Sequence, residues 1–403
     1  MRTLDMNKNI ENNNMPAPKL RFPGYTGVWE EKALGEVGTF VRGLSYNKGE
    51  VTQDSNFTLV LRSNNIVQDA AVDCKNGLQF VTKGPSSEQI LRKGDIVICL
   101  SNGSSNLVGK SASYEGDYDG VVTVGAFCGI YRSTAPITKY LVQTPAYKKS
   151  IDLIKQGGNG ALANLYGRDI LGLRFYFPSL EEQKRIVECL EAEDLMIAAQ
   201  EQKVESLKAH KKGLMQQLFP QPGSTTPALR FPGFTGEWEE KKLGECFEIG
   251  SGRDYKHLST GDIPVYGSGG YMCSVNDYLF NGDSACIGRK GTINNPLLLH
   301  GKFWTVDTLF YTFNYINTSA YFVYLLFQNI DWMKHNEAGG VPSLSKTIIN
   351  NISVVLPKPD EQQKIVECIS SIDDIIMNES KKVEILKNHK KGLMQQLYPQ
   401  PVK

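Results

Sequence analysis

Leu20 to Glu36 reads LRFPGYTGVWEEKALGE, and Leu229 to Glu245 reads LRFPGFTGEWEEKKLGE. The two stretches differ at three of 17 positions and lie 209 residues apart. A second matched pair opens at prolines, PSLEEQKRIVECL from Pro178 and PKPDEQQKIVECI from Pro357. It closes with KAHKKGLMQQLFPQP from Lys208 and KNHKKGLMQQLYPQP from Lys387. Here the offset is 179, because the intervening segments differ: 37–177 holds 141 residues and 246–356 holds 111. Near-identical pieces therefore frame two unlike ones. A period this long is a duplicated half-molecule rather than a solenoid repeat of 20–50 residues.

The second pair is helical. Ile186, Leu190, Ile197, Val204, Leu207, Leu214 and Leu218 recur at alternating threes and fours, interrupted by Glu193, Gln200 and Lys211. Ile365, Ile369, Ile372, Ile376, Val383, Leu386, Leu393 and Leu397 keep the same register, interrupted by Glu379 and Lys390. Such a seam is the coiled-coil signature. Each run covers some 39 residues, about 58 Å if fully helical. Near-identity predicts that the two helices pack on each other, and two-fold symmetry predicts an antiparallel pair. His210, Lys211 and Lys212 sit in the last turns, where cations suit the helix dipole.

The unlike segments carry β-branched and aromatic runs such as DIVICL (95–100), VVTVGAFCGIY (121–131) and WTVDTLFYTF (304–313), cut by Gly, Asn and Ser clusters. Both follow one plan: Gly94-Asp95 answers Gly282-Asp283, then a polar glycine-rich loop, then an aromatic strand. The expected fold is α+β, with two α+β domains separated by two long helices in an antiparallel coiled coil, a pseudo-two-fold internal duplication. The expected organisation is a polar, Asn-rich, disordered leader at 1–19, a first domain at 20–177, a helix at 178–219 and a Pro/Gly/Ser/Thr linker at 220–228. A second domain at 229–356 and a second helix at 357–403 follow.

Composition narrows the function. Of 403 residues, 41% are hydrophobic and 22% charged, the proportions of a folded soluble chain of two to four domains. No run of about 18 apolar residues offers a membrane span. The opening residues lack the apolar core of a secretory signal. Eight cysteines without a Cys-x-x-Cys pair point to reduced thiols and a cytoplasmic setting.

Catalytic motifs fail on inspection. Gly103 to Ser111 (GSSNLVGKS) ends like a phosphate-binding loop, but five residues separate its glycines where four are needed, and ASYEGDYDG beyond it is not helical. Asn294-Asn295-Pro296-Leu297 is no amino-methyltransferase motif, and neither Asp73-Cys74-Lys75 nor Pro359-Asp360-Glu361 makes a nuclease centre. His210 and His389 are repeat equivalents, while His257, His300 and His335 have no companion at ligand spacing. The residues read as a binder. Segment 37–177 is net +4 and segment 246–356 net −1, within a chain of +1. A free-standing nucleic-acid binder is more basic than this, so such a role requires a partner that supplies positive surface.

Variable–helix–variable–helix order, Pro-x-x-Glu/Asp-Glu-Gln-x-x-Ile-Val at each helix start, and Trp-x-x-x-x-Leu-Gly-Glu from Trp29 and Trp238 together resemble the specificity subunit of type I restriction-modification systems. The resemblance covers nearly the whole chain past the leader. It implies that each variable segment is a target-recognition domain reading one half of a bipartite, asymmetric sequence in double-stranded DNA. It also implies that the helices set the spacer and dock two adenine-methyltransferase subunits, joined by restriction and translocation subunits. S-adenosylmethionine, ATP and Mg would be used by those partners, leaving this chain non-catalytic, with no cofactor or metal of its own.

Candidate DNA contacts are polar loop residues. In the first domain these are Arg42, Tyr46, Arg62, Asn64, Asn65, Lys83, Asn102, Ser104, Ser105, Lys110, Asn159, Asn164 and Arg168. In the second they are Arg253, Lys256, Ser268, Tyr271, Arg289, Lys290, Thr292, Ser343, Ser345 and Lys346. The residues leave two alternatives open: a coiled-coil scaffold whose two β-rich domains bind proteins or glycans, and a degenerate NTPase or nuclease.

Overall fold

A computed structural model describes residues 17–67, 71–156 and 164–399. The expected leader at 1–19 falls almost wholly outside the described residues. Two compact units emerge, Met1–Ala199 with Lys382–Lys403, and Gln200–Lys381. Each is described by itself.

In the first unit the strands are β1 (Glu30–Ala33), β2 (Gly38–Arg42), β3 (Val51–Thr52), β4 (Thr58–Leu61), β5 (Phe80–Val81), β6 (Ile96–Cys99), β7 (Ser111–Ser113), β8 (Val122–Val124), β9 (Cys128–Ser133) and β10 (Arg174–Phe177). Helices α1 (Thr138–Leu141), α2 (Pro145–Gln156) and α3 (Gly167–Leu171) follow β9, and α4 (Leu180–Leu218) is the first long helix. Among the described residues one sheet runs β2-β9-β6-β7, a second β3-β5-β4-β8, and β1 pairs antiparallel with β10.

Strand β6 shows why the layers stack. Successive side chains of a strand point to opposite faces, and all four of its residues are buried. Ile96 and Ile98 join the core shared with the helices, while Val97 and Cys99 join the core between the two sheets.

The second unit repeats the plan with β11 (Glu239–Lys242), β12 (Glu248–Ser251), β13 (Thr260–Gly267), β14 (Gly270–Val275), β15 (Phe280–Asn281), β16 (Ser284–Gly288), β17 (Leu297–Leu299), β18 (Lys302–Thr305) and β19 (Leu309–Phe313). Helices α5 (Ala320–Asn329) and α6 (Lys346–Asn351) lead to β20 (Ser353–Leu356) and the second long helix α7 (Pro359–Leu397). Its sheets run β12-β19-β16-β17 and β14-β13-β18-β15, and β11 pairs with β20. The buried strand β16 again splits its faces, Ala285 and Ile287 toward one core and Cys286 toward another.

The duplicated sequence does the same job in each unit: it ties one long helix's start to the other's end. Arg21 donates through Nε and Nη2 to Glu182 near the start of α4, both at 2.7 Å, and the Leu20 amide donates to the Gln396 carbonyl near the end of α7. In the second unit Arg230 meets Glu361 at 2.7 and 2.8 Å, and the Leu229 amide donates to Gln217. Glu182 and Glu361 are buried, and bidentate guanidinium pairing compensates their desolvation. Trp29 and Leu34, with their counterparts Trp238 and Leu243, enter the cores, while Glu36 and Glu245 accept from the amides of Ala33 and Lys242.

Both long helices begin behind Pro-x, with acidic first turns that favour the N-terminal dipole. In the first unit Ile186 and Leu190 pack with Met394 and Leu397, so the helices run antiparallel. In the second, Met215 and Leu218 pack with Ile365 and Ile369, again antiparallel. None of the fifteen seam residues is exposed.

Each polar interruption of the seam meets a partner across it. His389 Nδ1 lies 3.2 Å from Glu193 and Lys390 Nζ 2.6 Å from Asp194 in the first unit. Lys211 holds both oxygens of Asp373 at 2.7 Å in the second, where Gln200 donates to its own repeat equivalent, Glu379, at 2.6 Å. Polar pairs inside an apolar seam fix register. Lys211 therefore serves the opposite helix, beyond the dipole role read from its position.

Candidate nucleic-acid interface

The runs VVTVGAFCGIY and WTVDTLFYTF, read from the sequence as aromatic strands, are each two strands. A tight turn divides them, Gly125–Ala126–Phe127 between β8 and β9 and Val306–Asp307–Thr308 between β18 and β19, and the two strands of each run lie in different sheets. That turn is the hub on which the polar loops converge.

The convergence uses matching backbone hydrogen bonds in the two units. Leu44 N donates to Val124 O, Gly125 N to Leu61 O, Leu100 N to Phe127 O, and Leu165 N to Leu100 O. Their counterparts are Arg253 N to Thr305 O, Val306 N to Tyr266 O, Arg289 N to Thr308 O, and Leu344 N to Arg289 O. The close approach demands glycine beside it. A Cβ at Gly43 would collide with the carbonyls of Val124 and Gly125, and one at Gly252 with those of Thr305 and Val306.

Around the first hub, exposed Arg42 donates through Nε to Ala126 O at 3.2 Å. Half-buried Tyr46 and Arg62 flank Gly125, and Arg62 Nη2 donates to Gly77 O. Exposed Asn64 donates to the same carbonyl, and Lys83 Nζ reaches Ser45 O at 2.7 Å. Asn102 Nδ2 donates to Ser63 Oγ at 2.9 Å, tying two loops together, and its Oδ1 accepts from the Ser104 amide.

Ser104 and Ser105 are exposed and Lys110 half-buried on a loop holding a single 3-10 turn at Ser105–Leu107. The strand β7 follows where a phosphate-binding loop would need a helix. Asn164 is exposed, and exposed Arg168 stacks its guanidinium 5.2 Å from the Tyr166 ring centroid. Asn159 lies outside the described residues.

Around the second hub, Arg253 is exposed and its carbonyl accepts from Trp304 Nε1. Arg289 Nη1 donates to Asp307 O at 3.4 Å, and Lys290 and Ser343 form an isolated antiparallel bridge. The Ser268 amide donates to Thr308 Oγ1, and Thr292 is exposed. A cleft of about 520 Å³ opens here, lined among others by Tyr255, Lys256, Ser268, Tyr271, Met272 and Asp307. Tyr271 keeps 63% of its surface exposed above it.

Three candidates serve the fold instead. Asn65 is fully buried, donating to the carbonyls of Asp73 and Asn76 while accepting from the Arg62 amide, so no atom is left for DNA. Ser345 caps α6 by accepting from Ile348 N, and Lys346 Nζ donates to Ile249 O at 2.8 Å. Their sequence context, polar residues among glycines and asparagines, is the same for a loop contact and for a capping or loop-closing role. Phe127 and Asp307 are hub residues that polarity and motif reading passed over. A glycine or an aspartate in mid-run was the available signal.

A family model described as "Type I restriction modification DNA specificity domain" matches residues 27–209 and again residues 235–387. The chain belongs to this family. Its two specificity domains each begin just before the Trp-x-x-x-x-Leu-Gly-Glu stretch and take in most of the following long helix.

Similar curated proteins include the StySPI specificity subunit of Salmonella potsdam, 28% identical over 225 residues, 54% of this chain and 47% of that one. The EcoKI specificity subunit of Escherichia coli (strain K12) is 30% identical over 197 residues, 47% of this chain and 40% of that one. The chain spans about half the length of these curated relatives. Among solved structures, the type I restriction-modification S subunit from M. genitalium aligns at a TM-score of 0.56 and 17% identity, covering 96% of this chain and 100% of that one. A chain from a study of complex assembly and conformational transition in the type I system aligns at 0.51 and 16%, covering 94% and 98%. At these identities the likeness establishes the fold. No helix among the described residues is long and apolar enough to cross a membrane.

Proposed function

We propose that this chain is the non-catalytic DNA-recognition subunit of a cytoplasmic type I restriction-modification complex. Each specificity domain reads one half of an asymmetric, two-part sequence in double-stranded DNA. The paired helices set the spacer and dock two adenine-methyltransferase subunits, with restriction and translocation subunits joining them. S-adenosylmethionine, ATP and Mg act in those partners.

The observation that carries the reading is one hydrogen-bonded hub holding two unlike sets of loop side chains. Arg42, Arg62 and Asn102 surround one, and Arg289, Lys290 and Ser268 the other. A constant frame with variable polar loops suits the same task performed on two base sequences, because base edges are distinguished by donors and acceptors rather than by net charge. A chain net charge of +1 leaves much of the phosphate neutralisation to partners.

The test is a genome-wide map of N6-methyladenine in host cells with and without the gene. Loss of one asymmetric two-part motif on deletion is the expected result. An unchanged map, with methyltransferase partners expressed, overturns the reading.

A further inference from the structure

The structure assigns Phe127 as the residue by which the first domain reads the methyl group of a thymine in the major groove. This rests on the DNA-recognition reading and names the chemistry of one contact within it. Single exposed apolar side chains are ordinary on protein surfaces; what sets this one apart is its place. The Phe127 carbonyl accepts from the amides of Leu100 at 2.8 Å and Ser101 at 3.2 Å, and Cys128 N closes the turn onto Gly125 O at 2.8 Å. The backbone is thus clamped, yet the ring keeps 67% of its surface in solvent.

Its neighbours are polar groups suited to base edges. The carbonyl of Ala126, one residue before, accepts from Arg42. Gly125, two residues before, is flanked by Tyr46 and Arg62, and Asn102 follows directly on the loop that the Phe127 carbonyl holds.

A phenyl ring offers no donor or acceptor, so among the features of a base edge it selects an apolar one. The C5-methyl of thymine is that feature in the major groove, and the minor groove shows only purine N3 and pyrimidine O2 acceptors and the guanine amino group. A clamped turn displays the ring with little backbone entropy left to lose on binding. In the second domain Thr308 stands in the place of Phe127, half-buried and with its hydroxyl accepting from the Ser268 amide, so no exposed ring is displayed there and the aromatic contact is assigned to the first half-site.

The experiment uses the assembled complex containing the full chain and a duplex carrying its mapped target. The half-site read by residues 37–177 is first identified by exchanging that segment for one from a relative. Each thymine of that half-site is then replaced singly by deoxyuridine, which lacks only the methyl group. We expect one position at which the wild-type complex loses affinity about fourfold, the worth of one buried methyl. In Phe127→Ala, thymine and deoxyuridine at that position bind alike, while affinity still depends on the second half-site.

Indifference of the wild type to deoxyuridine at every position, or retained sensitivity in Phe127→Ala, overturns the assignment. A bend in the bound duplex that vanishes in Phe127→Ala without deoxyuridine sensitivity also overturns it, in favour of a wedge between base steps. Binding no tighter than to a scrambled duplex would instead sink the recognition reading itself.

Discussion

Replacing Asp373 with alanine removes the acceptor that joins the second domain to both long helices. In the native unit its carboxylate takes two bonds from Lys211 Nζ at 2.7 Å and one from Tyr321 Oη at 2.6 Å. Lys211 belongs to α4, Tyr321 to α5 and Asp373 to α7, so one carboxylate holds three elements. The Lys211 side chain is 13% exposed and that of Asp373 33%.

A fully buried pair broken on one side costs about 3–5 kcal/mol, and an exposed one less than about 1 kcal/mol. For this partly buried site, with a tyrosine hydroxyl also orphaned, the expected loss is about 2–3 kcal/mol. That corresponds to a drop of roughly 4–12 °C in the melting of a unit of this size. Urea unfolding followed by tryptophan fluorescence reads it, since Trp238 and Trp332 lie in this unit's core.

The triple variant Lys211→Met, Asp373→Leu, Tyr321→Phe removes charge and hydroxyl together, and is expected within about 1 kcal/mol of wild type because no buried polar group is stranded. A loss below about 0.5 kcal/mol for the single variant, or a triple variant as damaged as the single, refutes the argument. The first unit holds the equivalent arrangement, with Asp194 accepting from Lys390 at 2.6 Å and Tyr140 at 2.7 Å.

Burial first, then the neighbouring carboxylates, raises the Tyr140 and Tyr321 hydroxyls above the usual tyrosine range, and burial pushes Tyr131 up to about 12. The unfolded chain releases these protons near pH 10, so these hydroxyls leave stability unchanged below that pH and lower it as pH rises beyond it. Tyr140→Phe with Tyr321→Phe should flatten the fall in urea titrations from pH 9 to 11. Burial likewise raises the thiols of Cys74 and Cys246 to about 11 and of Cys286 to about 12. Native protein at pH 8 should leave all three unalkylated by iodoacetamide in a peptide map, with labelling only after denaturation. Gly43→Ala should disrupt the first hub, since its Cβ meets two carbonyls. Affinity for the first half-site should fall at least tenfold while the second is kept, and equal binding to both refutes the hub. Insertion of four residues after both Gln200 and Glu379 adds about 6 Å to each helix and should lengthen the methylated motif's spacer; an unchanged spacer counts against the helices as its ruler.

The sequence by itself determined the duplication and the seam. Leu20–Glu36 and Leu229–Glu245 repeat because each must bond one helix start and one helix end, and local periodicity was enough to recognise Leu180–Leu218 and Pro359–Leu397 as long helices. Burial at alternating threes and fours follows from 3.6 residues per turn, a property the chain carries without its fold. Which partner each seam-breaking polar residue meets was not legible. The pairing of Glu193 with His389, or of Gln200 with Glu379, depends on where an antiparallel helix happens to cross.

The polar loops around the two hubs were legible only as composition. Asn65, Ser345 and Lys346 look like Asn164, Ser104 and Lys290 in a sequence, and only tertiary contacts separate a side chain that closes its own loop from one exposed to solvent. The break in VVTVGAFCGIY showed locally only as Gly125 in mid-run. What divides the run is the demand that β8 and β9 serve different sheets. Helix periodicity is written in residues three and four apart. A hub built from residues 44, 61, 100, 127 and 165 exists only once the chain has closed on itself.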